Sequence, residues 1–274
     1  MKRMNTSLDA ERFQSGADKY AAYLETPEGR LRLDLAFANL QEFLPQDRRS
    51  LRALDIGCGT GAMALRLAQL GLHVTLLDSS PTMLDLAKRS AQEARITEEI
   101  VVKQGDAAQL SHLFEVGSFD VILCHNTLEY VDDPCAVLRS AAHLLRASSS
   151  IISVLVRNQR GEVLKAALQK GDLAAAERNL TAEWANESLY GGMVRLFTAE
   201  SLHSMFTASS LAISAEFGIR VASDFLPTSV SRNREYERIF ELERKLGMQP
   251  EFAAIARYTH YLAHPAAPVG RVDK

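Results

Sequence analysis

Apolar runs that stop at an acidic or polar residue alternate along this chain with stretches of helical periodicity. Residues 51–55 end in Asp55, 72–77 are followed by Asp78, 100–103 by Gly105-Asp106, and 117–124 by His125, while 150–156 form a fifth run. Between them, 62–70, Pro81–Ala94 and 134–145 place their apolar residues three and four apart, and Gly71 stops the first of these helices. Strands alternating with helices are the pattern of a parallel sheet covered on both faces. After residue 156 the rhythm pauses, and 161–169 and 172–188 read as helical, Ala-rich and charged. It resumes with a helix over 198–208, a long strand over 211–221, a charged amphipathic helix over 232–246 and a closing strand over 257–263. Thr198 reads as a simple cap, because Ser201 is not the acid of a capping box. The pattern predicts an α/β fold, a doubly wound, mostly parallel seven-stranded sheet with helical lid insertions.

Ahead of the first strand, residues 1–12 read as loose and polar. Phe13, Tyr20 and Tyr23 recur at roughly helical intervals, and Thr26-Pro27 opens a helix running to residue 44. Its packed face holds Leu31, Leu35 and Ala38, with Arg30, Arg32 and Asp34 pointing elsewhere. The expected division is a helical lid over 1–46, a main domain over 47–265 with a helical insertion over 158–193 above the sheet edge, and a flexible tail over 266–274.

Composition narrows this picture. With 274 residues, 47% of them hydrophobic, the chain can bury a sizeable core, and a formal net charge of −3 supplies no global field toward nucleic acid, although a local basic patch remains compatible with it. Cys58, Cys124 and Cys135 have neither metal spacing nor an even disulfide framework, which suits a reducing compartment. No apolar leader core and no stretch of 18 apolar residues is seen, so the expectation is a cytoplasmic protein without a membrane partner.

The chemistry concentrates at residues 51–61, LRALDIGCGTG, where Asp55 is followed by glycines at 57, 59 and 61. Glycines let the backbone approach a ligand closely, and the helix N-terminus behind them favours an electron-rich partner, so a nucleotide-like ligand is expected. The spacing D-x-G-x-G-x-G is not the G-x-G-x-x-G of a dinucleotide site. Asp78, at the end of the second strand, sits where a doubly wound sheet holds ribose hydroxyls. Together these elements resemble motif I and the acidic segment of the class I S-adenosylmethionine methyltransferases. The resemblance implies S-adenosyl-L-methionine as cofactor, with Asp55, Gly57 and Gly59 flanking its methionine part and Cys58 and Gly61 in the same cofactor-binding turn, Cys58 as a compact filler. It puts Asp78, Ser79 and Met83 at the ribose and adenine, Asp106 and Ala107 at the adenine edge, and His125 beside the sulfonium. Asp106 reads equally as a helix cap, and the two roles are compatible.

Methyl transfer from a sulfonium is an in-line displacement that needs positioning rather than a metal or covalent nucleophile. The seven histidines form no H-E-x-x-H, and no serine sits in a G-x-S-x-G elbow. Outside the cofactor half, Arg30, Arg32, Arg195, Arg220, Arg232, Arg257, Tyr258 and His260 are candidates to meet an acceptor. TPEGRLRLDL, LDIGCGTG, LLDSSPTML, FDVILCHNTLEYVDDP, GIRVASDFLP and IARYTHYLA together resemble the bacterial methyltransferases that esterify a carboxymethoxy-modified wobble uridine of tRNA. That resemblance implies a tRNA anticodon loop as partner, with Arg30, Arg195, Arg220, Arg257 and Tyr258 as candidates for its carboxylate or phosphates. A small-molecule O- or N-methyltransferase stays open, with an apolar acceptor packed against Trp184 or Tyr190 and His125 or His260 as base. A cofactor-binding module without enzymatic activity is the third reading.

Overall fold

The computed structural model describes residues 6–187 and 189–267. Over residues 6–12 of the loose segment expected at 1–12 the chain is helix α1 (Thr6–Leu24), residues 1–5 lying outside the described residues, and α2 (Pro27–Gln41) follows it directly. Thr26 caps α2 by accepting from the Gly29 amide at 3.1 Å, with Pro27 in the first turn where no amide is needed. The helices touch where Gly29 stands, since a Cβ there would lie 2.0 Å from the Tyr23 carbonyl oxygen.

Three crossovers come next: β1 (Arg52–Ile56) to α3 (Ala62–Gln69), β2 (His73–Asp78) to α4 (Pro81–Ala94), and β3 (Ile100–Gln104) to the short α5 (Leu110–Leu113). β4 (Val121–His125), α6 (Pro134–Leu144) and β5 (Ile151–Arg157) complete the parallel part. A helical segment follows, α7 (Gln159–Leu164) continuing as a π-turn over Lys165–Gln169, then α8 (Leu173–Asn179). The helix expected over 172–188 ends there. β6 (Trp184–Asn186) pairs antiparallel with β7 (Met193–Arg195), and Ser188 lies outside the described residues. Gly191 and Gly192, at φ +76° and +88°, turn the chain between the two strands. α9 (Ala199–Ala208) opens on a full capping box: Thr198 Oγ1 accepts from the Ser201 amide and Ser201 Oγ from the Thr198 amide, both at 3.1 Å. A hydroxyl thus does what the sequence reading required of an acid. β8 (Leu211–Ile219), α10 (Tyr236–Gly247), α11 (Pro250–Ala253) and β9 (Tyr258–Pro265) close the fold. The flexible tail expected over 266–274 falls from residue 268 onward outside the described residues.

The seven strands run in the order β3-β2-β1-β4-β5-β9-β8, with β9 antiparallel to both neighbours. Period-two alternation sends Ala53, Val74, Leu76, Val121, Leu123 and Leu155 to the face covered by α2, α3, α4 and α10. Leu54, Ile56, Leu77, Ile122, Ile152 and Val154 go to the face covered by α5, α6 and α9. With both faces buried, the strands read as continuous apolar runs, which is why they were legible. Strand order reverses at β1, so the carboxyl ends of β1 and β4 diverge and leave a crevice between their following loops. Among the described residues no helix is long and apolar enough to cross a membrane.

Candidate functional site

The crevice holds a cavity of about 450 Å³, within the range of a small-molecule site. Its floor is the glycine turn after β1. The Gly57 and Cys58 amides both donate to the Leu77 carbonyl, at 2.7 and 3.0 Å, tying the turn to β2. Gly57 has φ +66°, and a Cβ there would lie 2.4 Å from Thr127 Oγ1, so no side chain fits. Thr127 itself donates to the Ile56 carbonyl at 2.8 Å, which locks the loop after β4 to the end of β1.

Asp78 faces this turn. One carboxylate oxygen accepts from the Gly59 amide and the other from the Ser80 amide, each at 2.8 Å, and burial raises its pKa despite these bonds. Asp55, at the end of β1, is buried and has no side-chain hydrogen bond or ion pair among the described residues. Burial, with the nearby Asp78 charge, pushes its carboxyl up to about 8. It lines a smaller space that shares Tyr20, Arg32, Gly57, His125 and Asn126 with the main cavity.

Of the residues singled out from sequence for the cofactor, Gly57, Gly59, Asp78, Ser79, Met83, Asp106, Ala107 and His125 line the main cavity. Asp55 and Cys58 line the smaller space, and Gly61 lines neither, serving as the left-handed residue before α3. Asp106 also caps the turn after β3, accepting from the Ala108 amide at 2.8 Å. His125, the last residue of β4, bonds through Nε2 to Ser153 Oγ at 2.7 Å. Burial lowers its pKa well below the usual value, helped by His260 and Arg32, so the ring is neutral. Asn126, at φ +52°, turns the chain out of β4 and donates from Nδ2 to Glu129 Oε1 at 2.9 Å.

The candidate acceptor residues behave differently. Arg220 is buried in an ion pair with Asp224 and donates to the Tyr23 hydroxyl at 2.9 Å, while Arg257 is buried against Glu162 and Asp224. Neither lines the cavity. Arg195 stacks 4.6 Å over Trp184, and Arg30 lies 4.2 Å over Tyr236 with Asp34 as its ion partner; both are also off the cavity. Tyr258 is buried amid guanidiniums. Burial would raise its phenol, but Arg157, Arg32, Arg220 and Arg257 overcome that and bring it down to about 7.

The sequence expectation that Arg32 points away from the packed face is overturned. The side chain is buried, 7% exposed, and lines both spaces, because α2 is covered on one side by α1 and on the other by the sheet. It donates to the Tyr20 hydroxyl at 3.1 Å, and its guanidinium carbon lies 5.1–5.8 Å from the rings of Tyr20, Tyr23 and Tyr258. No carboxylate pairs with it among the described residues. Arg157, at the crevice end of β5, was also missed, although its place at a strand's carboxyl end was the available signal. It lines the cavity while pairing with Glu162 at 3.3 Å and Glu187 at 3.2 Å. Glu187 in turn accepts from the Leu189 and Tyr190 amides and fixes the opposite wall. Phe13, Tyr20, Tyr130 and Tyr190 gather there, with ring centroids 5.1–6.1 Å apart. Gly16 lets α1 approach, since a Cβ would lie 2.4 Å from the Tyr190 ring. No cluster that could hold a metal ion occurs among the described residues.

Comparison with known proteins agrees with this architecture. The family described as "Methyltransferase domain" matches residues 47–241. The tRNA 5-carboxymethoxyuridine methyltransferase of Escherichia coli K12 is 26% identical over 92% of this chain and 95% of its own length. The ubiquinone biosynthesis O-methyltransferase of Xanthomonas oryzae is 31% identical over 50% of this chain and 59% of its own. Among solved structures, the S-adenosylmethionine dependent methyltransferase of Mesorhizobium loti superposes with a TM-score of 0.54 at 18% identity, covering 85% of this chain and 99% of that one. With the crevice built at the reversal of strand order and the family matching most of its length, the chain belongs to the methyltransferase domain family and is an S-adenosylmethionine-dependent methyltransferase.

Proposed function

We propose that this methyltransferase esterifies a carboxylate, that of 5-carboxymethoxyuridine in tRNA. The observation that carries the reading is Arg32, a buried guanidinium on the cavity wall with no carboxylate of its own. A buried cation that faces phenol rings, with Tyr258 titrating near 7 as only a partial counter-charge, is costly, and an anionic acceptor removes that cost while gaining planar, charge-assisted hydrogen bonds. Arg157 stands in the same wall, and the aromatic rings of Phe13, Tyr20, Tyr130 and Tyr190 offer stacking surfaces for an unpaired base. The similarity to the E. coli tRNA enzyme across nearly both full lengths supports the same acceptor.

The donor side fits S-adenosylmethionine. Asp55 is a buried carboxyl without a partner among the described residues, matched to an ammonium group, and Asp78, held by backbone amides of the glycine turn and of the residues that follow it, faces the cavity where a ribose hydroxyl would donate to it. The bare backbone of Gly57 allows close approach, and Met83, Asp106 and Ala107 continue the wall. When bound, the cofactor supplies an electrophilic methyl group on a sulfonium. The chain's own residues then do three things: Arg32 and Arg157 orient the acceptor oxygen, the aromatic wall excludes water, and neutral His125 borders the reacting space without adding charge. A carboxylate is already ionised at neutral pH, so no general base is required.

The test is methyl transfer from labelled cofactor to bulk tRNA from cells lacking this modification step, read by nucleoside mass spectrometry. A methyl ester on 5-carboxymethoxyuridine is the expected product. Absence of transfer by protein that binds the cofactor tightly, with transfer instead to a phenolic acceptor, would refute the reading.

A further inference from the structure

Three buried polar side chains and the half-buried His125, none of which methyl transfer itself requires, form an unbroken hydrogen-bond line into the cavity. His125 Nε2 bonds Ser153 Oγ at 2.7 Å, the same oxygen bonds His260 Nε2 at 2.7 Å, and His260 Nδ1 meets Asn39 Nδ2 at 3.4 Å. The members come from β4, β5, β9 and α2. His125, Leu155 and His260 occupy one cross-strand row, with Ser153 two residues before Leu155 on the same face. Asn39 stands seven positions after Arg32 in α2, so both reach toward the sheet. We propose that Asn39, His260 and Ser153 are positioning residues that hold His125 in the Nδ1–H tautomer, so that it turns a hydrogen-bond donor, not a base, toward the acceptor.

The argument is a proton count. His260 is buried and His125 half-buried at the cavity edge, and loss of solvent lowers both pKa values, so both rings are neutral and each has one ring proton. Ser153 is fully buried, has one hydroxyl proton, and its side chain has no partner among the described residues besides the two rings. The rings cannot both accept that single proton. If both donated to Oγ, the hydroxyl proton would be left buried without an acceptor, which is strongly unfavourable. The line therefore runs in one direction, and Asn39 sets it. In the assigned amide orientation Asn39 turns its NH₂, which only donates, toward His260 Nδ1, so in that orientation Nδ1 is bare and the ring proton sits on Nε2. That N–H donates to Ser153, Ser153 donates to His125 Nε2, and the remaining proton of His125 lies on Nδ1. Nδ1 has no partner among the described residues, and His125 lines the cavity beside Arg32.

The role as donor to an acceptor oxygen rests on the carboxylate reading above; the tautomer does not. The full chain, labelled with ¹⁵N in its histidine rings and free of ligand, gives a long-range ¹H–¹⁵N spectrum in which protonated and bare ring nitrogens fall in separate ranges. A His125→Gln sample assigns the ring. The expected result is protonated Nδ1 and bare Nε2 for His125, with the reverse for His260; Nε2–H on His125 overturns the proposal. Ser153→Ala or Asn39→Leu removes the directing bond, and His125 should become a mixture of tautomers, while Ser153→Thr keeps the wild-type spectrum. A pure Nδ1–H signal in both disrupted variants would also overturn it. In Asn39→Leu, kcat/KM for the carboxylate-bearing tRNA should fall about tenfold, with cofactor Kd changed less than twofold. Nδ1–H without any tRNA methylation would count against the acceptor reading alone, and methylated tRNA with Nε2–H against this proposal alone.

Discussion

Replacing Asp55 with asparagine separates what this carboxyl costs the fold from what it does for the ligand. In the unfolded chain it titrates at its ordinary 3.8; in the folded, ligand-free protein burial, reinforced by Asp78, holds it at about 8. Between those values the folded state keeps a proton that the unfolded state has released, so stability falls as pH rises. Each pH unit withholds about 1.4 kcal/mol. Over most of that span the upper limit is about 5 kcal/mol near neutrality, which water entry and local relaxation reduce to about 2 kcal/mol. The amide is nearly isosteric and has no charge to desolvate, so Asp55→Asn should be more stable than wild type by about that amount at pH 7.5 and indistinguishable from it near pH 4. Urea unfolding at a series of pH values, on protein stripped of cofactor, reads the difference. The same substitution should weaken S-adenosylmethionine binding by about tenfold to a hundredfold, because the ammonium loses its charged acceptor. Wild-type binding should release close to one proton at pH 7, measured calorimetrically in buffers of different ionisation heat, and affinity should rise as pH approaches 8. A stability difference independent of pH, or binding without proton release, would refute the account of Asp55.

Arg32→Met should leave folding neutral or slightly stabilised, because a buried guanidinium without a carboxylate partner is removed, while kcat/KM for an anionic acceptor falls about a hundredfold; equal activity on that acceptor would remove Arg32 from the site. Gly57→Ala should abolish measurable cofactor binding by titration calorimetry, since the added Cβ meets Thr127 Oγ1 at 2.4 Å in a left-handed backbone, and retained affinity would show that the turn can shift. Tyr258 should give a tyrosinate signal in ultraviolet difference spectra with a midpoint near pH 7 that vanishes in Tyr258→Phe. Its depressed pKa means the wild type gains stability over Tyr258→Phe as pH rises from about 7, and loses that advantage as pH falls through 7.

The legible part of this protein was local. The five parallel strands, the crossover helices α3, α4 and α6, and the opening of α2 at Thr26-Pro27 follow from periodicity and from residue types that satisfy their own neighbours' amides. The glycine turn and Asp78 were readable because φ above zero and a carboxylate at a strand end are requirements met within a few residues. The hairpin of β6 and β7 escaped because its strands are three residues long and sit in Ala-rich, charged surroundings, where the helical signal is stronger than the pairing that overrides it.

What the amino-acid order determined by itself, then, is the sheet with its loops and the half of the crevice built by consecutive residues. Only the tertiary structure decided which arginines face the cavity. Arg30 and Arg32 look alike in sequence, yet one lies over Tyr236 at the surface and the other is buried because α2 has partners on two sides. Arg220 and Arg257 looked equally available; Asp224, only four residues after Arg220, pairs with it locally, whereas Glu162, which neutralises Arg257, arrives from α7. The line from Asn39 through His260 and Ser153 to His125 joins residues as many as 221 positions apart, and hydrogen bonds of that reach exist only once the strands have taken their order. Local pattern selects conformation, whereas burial and charge pairing depend on which surfaces meet, and that is a property of the folded whole.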